Sequence, residues 1–118
     1  MKNQSFPNKL RNAFAGIRFA WDAERNFRIE VVLGLVTLVA FAVIRPAAPW
    51  WALIALCIAL VLVVELANSA METLADHLHP EIHPVVGKVK DMLAGMVLVM
   101  CIGAAIVALI ALYATLTA

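Results

Sequence analysis

A row of carboxylates and an amide interrupts one of the most apolar parts of this 118-residue chain. The stretch VELANSAMETLAD carries Glu65, Asn68, Glu72 and Asp76, whereas the residues before it, back to Trp50, carry no charge. An α-helix turns by about 100° per residue, so these positions fall on one face of a helix. The sequence therefore predicts a polar stripe at one end of an apolar helix.

The chemistry open to such a stripe follows from the high cost of placing charge in a hydrocarbon layer. The stripe must face another helix, a cavity or a cation instead of lipid. Two neighbouring carboxylates stay ionised together only when a cation lies between them. Mg²⁺ is the natural candidate because it takes carboxylate oxygens together with substrate phosphates, and a second glutamate could then serve as a general base. The simpler alternative is a polar contact that sets only helix packing.

The composition of the chain identifies the surroundings of this stripe. Hydrophobic residues make up 64% of the sequence and charged residues only 14%, which is far too apolar for an ordinary soluble domain. We expect a small integral membrane protein with a single domain over residues 1–118. The formal net charge of +1 gives no general attraction to nucleic acid, so none is expected as a partner.

The elements that must position the stripe are all predicted to be helical. In residues 1–28, Phe6, Leu10 and Phe14 recur at helical spacing with basic residues mostly on other faces. This pattern favours an amphipathic helix on the membrane surface over a helix packed on a soluble partner. The fold class we expect is an all-α membrane protein, with that surface helix followed by three transmembrane helices at residues 29–45, 50–77 and 85–116.

The basic residues predict the orientation of these helices. Every Lys and Arg except Arg45 falls either in the amino-terminal segment or in the loop between the second and third spans. The positive-inside rule places both of those regions in the cytoplasm and the carboxyl terminus outside. The polar stripe then lies near the cytoplasmic face, together with polar clusters at residues 22–30 and 81–91.

Known nucleotide-binding motifs of soluble enzymes are absent from the sequence. There is no G-x-x-x-x-G-K-[ST] motif and no protein-kinase signature set. Any phosphate chemistry would therefore need a membrane-embedded site of another design.

Several segments resemble one family of small bacterial membrane kinases, which phosphorylate diacylglycerol or undecaprenol. The run ELANSAME (residues 65–72) resembles the family's E-x-x-N-[ST]-A-x-E motif. The runs EIHP (81–84) and KVKD (88–91) resemble its later segments, and ERNFR (24–28) resembles its first block. The resemblance covers nearly the whole chain, with the motifs in the same order and spacing.

The resemblance implies a catalytic architecture. It implies a homotrimer of three-span subunits, with active sites between subunits in the cytoplasmic (inner) membrane of a bacterium. Glu65 would be the general base that takes the proton of the lipid hydroxyl, and Asn68 would orient Glu65 or a phosphate. Glu24 and Glu72 would hold Mg²⁺ on the phosphates of ATP. Catalysis would then combine positioning with charge neutralisation.

The resemblance also implies the substrate contacts. The partners would be ATP, a lipid alcohol, the surrounding membrane lipids and other copies of the chain. The nucleotide would contact Glu24, Glu72, Glu81, His83, Lys90 and Asp91. The lipid cleft would be bordered by Arg18, Trp21, Phe27, Arg28 and Glu30. From charge alone, Lys90 is equally well explained as an ordinary lysine of a cytoplasmic loop.

Two acceptor lipids remain open, because the chain combines features of both branches of the family. The run NAFA (12–15) replaces a Tyr-Ser-Trp-Lys type stretch of the diacylglycerol branch. ERNFRI (24–29) with Ala94-Gly95 is more similar to the undecaprenol branch, and Gly87-Lys88 with KDM (90–92) to the diacylglycerol branch. The product would be phosphatidic acid or undecaprenyl phosphate.

Two non-enzymatic functions are also compatible with a polar stripe. In the first, a small membrane protein handles protons or ions, with Glu65 and Glu72 as relay groups. In the second, an assembly factor uses the stripe only for packing. The gathering of Lys90, Asp91 and further carboxylates at one membrane face weighs against a relay, as does the absence of a charged residue from Met92 onward.

Overall fold

The computed structural model describes residues 3–79, 81 and 83–118, and these residues form helices and no strand. The chain is all-α, as predicted. The described helices are, in chain order, α1 (Phe6–Ala23), α2 (Arg25–Ile44), α3 (Ala48–Leu78) and α4 (Pro84–Leu116).

The helices α2, α3 and α4 are each long and apolar enough to cross a membrane. Their most apolar windows have mean hydropathies of 2.3, 2.5 and 2.8. The predicted set of three apolar helices is therefore confirmed, and the chain is a membrane protein. Helix α1 is amphipathic and exposes Phe6, Phe14 and Phe19. Its position on a membrane surface stays a prediction.

The core is small, and α3 lies at its centre. Helix α3 packs along α4 and, to a lesser extent, along α2. Phe41, Ile54 and Ala111 are buried where α2, α3 and α4 meet. Most other large apolar side chains of the three helices are exposed within the single chain. In a membrane such surfaces contact lipid or other protein chains, because lipid tails are as apolar as leucine.

Two short connections set the helix order. Arg45 ends α2 in the left-handed conformation, at φ 63° and ψ 65°, and its N–H donates to the carbonyl of Phe41 at 2.8 Å. Pro46 follows and cannot continue the helix. The second connection, residues 79–83, joins α3 to α4. Because both connections are short, α3 runs back along α2, and α4 runs back along α3.

Gly34 brings α2 and α3 into close contact. A Cβ atom added at Gly34 would lie 2.9 Å from Cγ2 of Ile58, a distance that real Cβ atoms do not show. Cγ2 belongs to a β-branched side chain, which is stiff at χ1 in a helix. The methyl group could therefore be accommodated only by separating the two helices.

We predict that Gly34→Ala destabilises the protein in spite of the better helix propensity of alanine. Overpacking of this kind costs about 1–3 kcal/mol, which exceeds the roughly 1 kcal/mol that alanine gains over glycine. The measurement is the thermal unfolding midpoint in detergent. Gly103→Ala is the matched control, because a Cβ at Gly103 meets no atom within 4 Å.

A double variant tests the stated cause. Ile58→Ala removes the Cγ2 atom, so Gly34→Ala should cost less in that background than in the wild type. An equal cost in both backgrounds would show that the contact with Ile58 is not responsible.

Candidate functional site

The polar stripe of α3 is buried at its inner end. Glu65 is 2% exposed, Asn68 9% and Ser69 6%, and these are the buried polar side chains among the described residues. Glu72 is partly buried and Asp76 is exposed, so burial decreases along α3 toward α4. The stripe thus leads from a buried carboxyl group to the protein surface.

Glu65 lies next to a second carboxyl group, that of Glu30 on α2. The two carboxyl groups are close neighbours, and the Asn68 side chain also lies close to Glu65. A carboxylate only accepts hydrogen bonds, so two carboxyl groups bond directly only when one of them holds a proton. A direct contact between Glu30 and Glu65 would therefore require a proton on one of them.

Two further carboxylates act on Glu65 through their charge. Glu24 and Glu72 both lie near enough for their charges to repel the Glu65 carboxylate. Glu24 is the one extended residue between α1 and α2, at φ −114° and ψ 108°, and its N–H donates to the carbonyl of Ala20 at 2.8 Å. Its side chain makes no capping hydrogen bond to α2 and is available to the site.

Several polar atoms around Glu65 are buried without a hydrogen-bond partner within the chain. They include Oε2 of Glu30, Oδ1 of Asn68 and Oγ of Ser69. Most buried polar atoms in folded proteins are hydrogen-bonded, and each exception calls for an explanation such as a ligand, water or ion. A fourth such atom, Oγ1 of Thr115, lies at the far end of α4. The three near Glu65 occur together with several carboxylates, which favours a site for a polar ligand there.

Lys90 connects the first turns of α4 to the last turns of α3. Its Nζ lies 2.5 Å from Oδ1 of Asp76, and the charge of Glu72 also acts on it. The pair is exposed to solvent, so it contributes little to stability. The main effect of the ion pair is to hold the lysine ammonium group beside the polar stripe.

The connection between α3 and α4 contributes two more of the predicted residues. Nδ1 of His83 accepts the N–H of Val85 at 3.1 Å and so caps α4. In the neutral ring the proton then lies on Nε2, which can donate outward. Glu81 lies 3.3 Å from Nδ1 of His79; its own N–H and then His79 hold the pKa of the Glu81 carboxyl below its usual range. Ile82 of the EIHP motif lies outside the described residues.

The residues predicted to border the lipid are not gathered in one place. Arg18 and Trp21 line a shallow hollow on the outer face of α1, where Arg18 approaches Asp22 at 3.8 Å. Phe27 is buried. Glu30 belongs to the group of carboxylates formed by Glu24, Glu30, Glu65 and Glu72, which we call the acidic cluster. Asp91, predicted to contact the nucleotide, is exposed on α4.

Arg28 has a defined structural partner. Its Nη1 donates to the carbonyl oxygens of Trp21 at 2.6 Å and Asp22 at 3.2 Å. These carbonyls belong to the last turn of α1, which has no partners for them within that helix. Arg28 on α2 therefore ties the end of α1 in place and sets the direction in which α1 leaves the joint at Glu24.

The carboxylates suit a hard cation that is also held by a ligand. Among the residues that the structure describes, no group of three His, Cys, Asp or Glu side chains is arranged to hold a metal ion. A site made only of protein ligands is therefore not formed there. Mg²⁺ typically keeps several waters and binds one or two carboxylates together with substrate phosphates. Glu24 and Glu72, which each lie near Glu65, are carboxylates that could hold it in this way.

Comparison with known proteins identifies the family. A model of the family described as prokaryotic diacylglycerol kinase matches residues 11–112. The chain belongs to this family. The match includes Glu24, Glu30, Glu65 and Glu72, so the acidic cluster lies entirely within the region shared with the family.

Individual diacylglycerol kinases are similar to this chain over most of its length. The protein of Synechocystis sp. is 36% identical over 108 residues, which are 88% of this chain and 62% of that relative. The protein of Escherichia coli K12 is 35% identical over 94 residues, 80% of this chain and 77% of the relative. A Helicobacter pylori protein is 38% identical over 77 residues, 65% of this chain and 60% of the relative. The chain therefore spans about three-fifths of two of these relatives.

Two residues near the cluster were not among the predicted site residues. Asp76 belongs to the predicted stripe and lies shortly before the connection between α3 and α4. Its partner Lys90 lies at a similar distance after that connection. Antiparallel pairing of the two helices could therefore have suggested the contact. Ser69 lies beside Asn68 within the ELANSAME motif. Its burial depends on how α1 lies across α3, which the sequence pattern does not specify.

We predict that Arg28→Gln loosens the last turn of α1. The substitution removes the charged donor to two terminal carbonyls, so amide exchange in residues 19–23 should become roughly tenfold faster, as expected for losing about 1.5 kcal/mol. Hydrogen–deuterium exchange with mass spectrometry measures this change. Arg25→Gln is the control, since Arg25 also lies in the first turn of α2 but the bonds to the α1 carbonyls come from Arg28. Equal exchange in both variants would contradict the proposed tie.

Proposed function

We propose that the protein is a lipid kinase that transfers the γ-phosphate of ATP to the hydroxyl group of a membrane lipid alcohol. The observation that carries the proposal is the convergence of Glu24, Glu30, Asn68 and Glu72 on the buried carboxyl of Glu65. Membership of the prokaryotic diacylglycerol kinase family supports the same reaction class. The relay and packing alternatives do not account for the family match.

Glu65 serves as the general base in this proposal. The lipid hydroxyl oxygen attacks the γ-phosphorus in line, the bond to the β-phosphate oxygen breaks, and ADP leaves. The hydroxyl proton passes to the Glu65 carboxylate, which Asn68 orients through its amide. Glu30 can then share that proton, because its carboxyl group neighbours that of Glu65.

Mg²⁺ is the proposed cofactor, and Glu24 and Glu72 are its proposed protein ligands. The ion would neutralise charge on the phosphates during transfer. Both carboxylates lie near Glu65, and neither has an ion-pair partner of its own among the described residues. Both carboxylates repel that of Glu65, so this end of the molecule favours a bound divalent ion.

The nucleotide contacts proposed are those at the junction of α3 and α4. Lys90 lies beside Glu72 and provides a point charge for a phosphate. His83 has its Nδ1 engaged in the cap of α4, which leaves Nε2 as a donor. Glu81 is held ionised by its lowered pKa and Asp91 is exposed, so both can accept hydrogen bonds from a nucleotide.

A cavity beside Glu30 offers a place for the hydrocarbon part of the lipid. This cavity of about 310 Å³ lies between α2, α3 and α4 and is lined mainly by apolar and small side chains. Glu30 lies at its edge, and Glu30 also neighbours Glu65. A lipid alcohol whose chain enters this cavity would present its hydroxyl group to the catalytic pair. Arg18 and Trp21 then remain available for the headgroup surface outside the cavity.

A homotrimer in the bacterial inner membrane is the proposed assembly. The most apolar window of α4 has none of its residues buried within the single chain. Other copies of the chain would cover such a surface as well as lipid does. The orientation proposed is that of the positive-inside rule, with the amino terminus in the cytoplasm, where ATP is present.

Diacylglycerol is the acceptor that the relatives favour, and undecaprenol is the alternative. The relatives from Synechocystis, Escherichia coli and Helicobacter pylori are all named diacylglycerol kinases. The NAFA stretch and the ERNFRI run differ from the diacylglycerol branch, so undecaprenol must also be tested as the acceptor.

The proposed function predicts phosphoryl transfer from ATP to a lipid alcohol. Purified protein in lipid bicelles, given γ-labelled ATP, Mg²⁺ and either diacylglycerol or undecaprenol, should form labelled phosphatidic acid and little undecaprenyl phosphate. Excess EDTA should abolish labelling, and restored Mg²⁺ should recover it, because Glu24 and Glu72 bind the nucleotide through the ion. Lipid extraction and thin-layer chromatography measure the product. Labelling of undecaprenol alone would reverse the acceptor assignment, and labelling of neither lipid would overturn the kinase proposal.

The proposed function also predicts that Glu65, as the general base, is needed for turnover. Glu65→Gln should lower kcat by about 10²–10⁴-fold, since proton transfer by a positioned side chain contributes that much. The unfolding midpoint should not fall, because the amide removes one of several repelling carboxylates. Asp22→Asn is the control; this exposed carboxylate of α1 lies outside the acidic cluster. Normal turnover by the Glu65 variant would rule out the assigned role.

A further inference from the structure

A second, larger cavity lies on the other side of α3, between α1 and α3. Its volume is about 630 Å³, and small residues such as Gly16, Ala20 and Ala70 leave the space open. Glu24 and Ser69 also line it, and it shares no lining residue with the cavity beside Glu30. This cavity is therefore bordered by the proposed metal ligand Glu24 and is separate from the cavity proposed for the lipid chain.

The hydroxyl group of Ser69 has no partner although it is buried. Serine in a helix commonly donates to the carbonyl one turn earlier, as Thr73 does to the carbonyl of Ser69 at 2.8 Å. Ser69 itself is 6% exposed, and its Oγ makes no hydrogen bond within the described chain. Such a hydroxyl calls for an explanation, and because Ser69 also borders this cavity, a ligand bound there is the explanation we pursue.

The chemistry of the neighbours restricts that ligand. Glu24 borders the same cavity, and a carboxylate there would repel an anion unless a cation accompanied it. A nucleotide bound with its divalent cation meets this requirement, whereas an acyl chain offers no acceptor for the hydroxyl. Phosphate oxygens are strong acceptors, and hydrogen bonds to charged groups are about twice as strong as neutral ones.

We propose that Ser69 Oγ donates a hydrogen bond to a phosphate oxygen of the nucleotide, bound in the cavity between α1 and α3 beside Glu24. This inference rests on the proposed kinase function and adds Ser69 to the nucleotide site. The hydroxyl selects the bound position of the phosphates and takes no part in moving the proton, which is the task of Glu65.

The test compares Ser69→Ala with the wild type by steady-state kinetics in bicelles. We expect the KM for ATP to rise about ten- to a hundredfold, the effect of losing a hydrogen bond to a charged group. The KM for the lipid should not change. Direct titration with a non-hydrolysable ATP analogue and Mg²⁺ should give a matching loss of affinity, which provides a readout independent of turnover.

Three further variants isolate the role of the hydroxyl. Ser69→Thr keeps the hydroxyl, so its KM for ATP should stay near the wild-type value. Ser69→Cys keeps a similar volume but donates weakly, so it should resemble the alanine variant and can replace it if alanine impairs folding. Thr117→Val is the matched control, because the Thr117 hydroxyl donates to the carbonyl of Tyr113 and Thr117 lines neither cavity.

The outcomes separate this inference from the kinase proposal. If the wild type phosphorylates lipid and Ser69→Ala has an unchanged KM for ATP, the role of Ser69 is wrong and the kinase proposal stands. A rise in the KM for the lipid instead would assign the hydroxyl to the acceptor and would also overturn the inference. If the wild type neither binds the ATP analogue nor phosphorylates lipid, both proposals fail together.

Discussion

The burial of one carboxyl group, that of Glu65, is the constraint on which the rest of this structure depends. A carboxylate removed from water must gain hydrogen bonds, a proton or a cation, or its burial costs several kcal/mol. Glu65 is 2% exposed. Its neighbours come from different segments: Glu24 from the joint of α1 and α2, Glu30 from α2, and Asn68 and Glu72 from α3. Every helix contact that brings these segments together therefore supports the same site.

The local geometry of the joint between α1 and α2 follows from this requirement. A single extended residue, Glu24, separates the two helices, and Arg28 ties the carbonyls of α1 to α2. The spacing within ERNFR thus has a structural reason, because it places an acidic residue at the joint and a basic residue one turn later. Glu30 follows on α2, where it meets Glu65. The motif combines a structural brace with two members of the acidic cluster.

Stability and function are divided between the two ends of the molecule. The end near the turn of residues 45–47 holds the apolar core of Phe41, Ile54 and Ala111, where few polar groups occur. The opposite end carries the repelling carboxylates and most of the buried polar atoms that lack partners, such as Oγ of Ser69, although Oγ1 of Thr115 lies near the apolar end. Real proteins break the rules of polar satisfaction mainly at functional sites, and the apolar end provides the stability that such a site requires.

The composition and periodicity of the sequence were sufficient for the helices and for the polar stripe of α3. Long apolar segments leave little choice but membrane helices, because every backbone polar group must be satisfied inside the bilayer. Helical periodicity likewise places Glu65, Asn68 and Glu72 on one face. The family motifs added the candidate roles of Glu24 and Lys90, and the structure brings both residues to the neighbourhood of the stripe.

Contacts between helices could be decided only by the tertiary structure. Glu30 was expected at the lipid border and lies against Glu65, and Phe27 is buried in the chain. Lys90 holds Asp76, and Ser69 faces a cavity made by α1. Hydropathy is nearly uniform around these helices, so it does not specify their rotation or tilt. Those are set by close contacts such as that of Gly34 with Ile58, which no single helix contains.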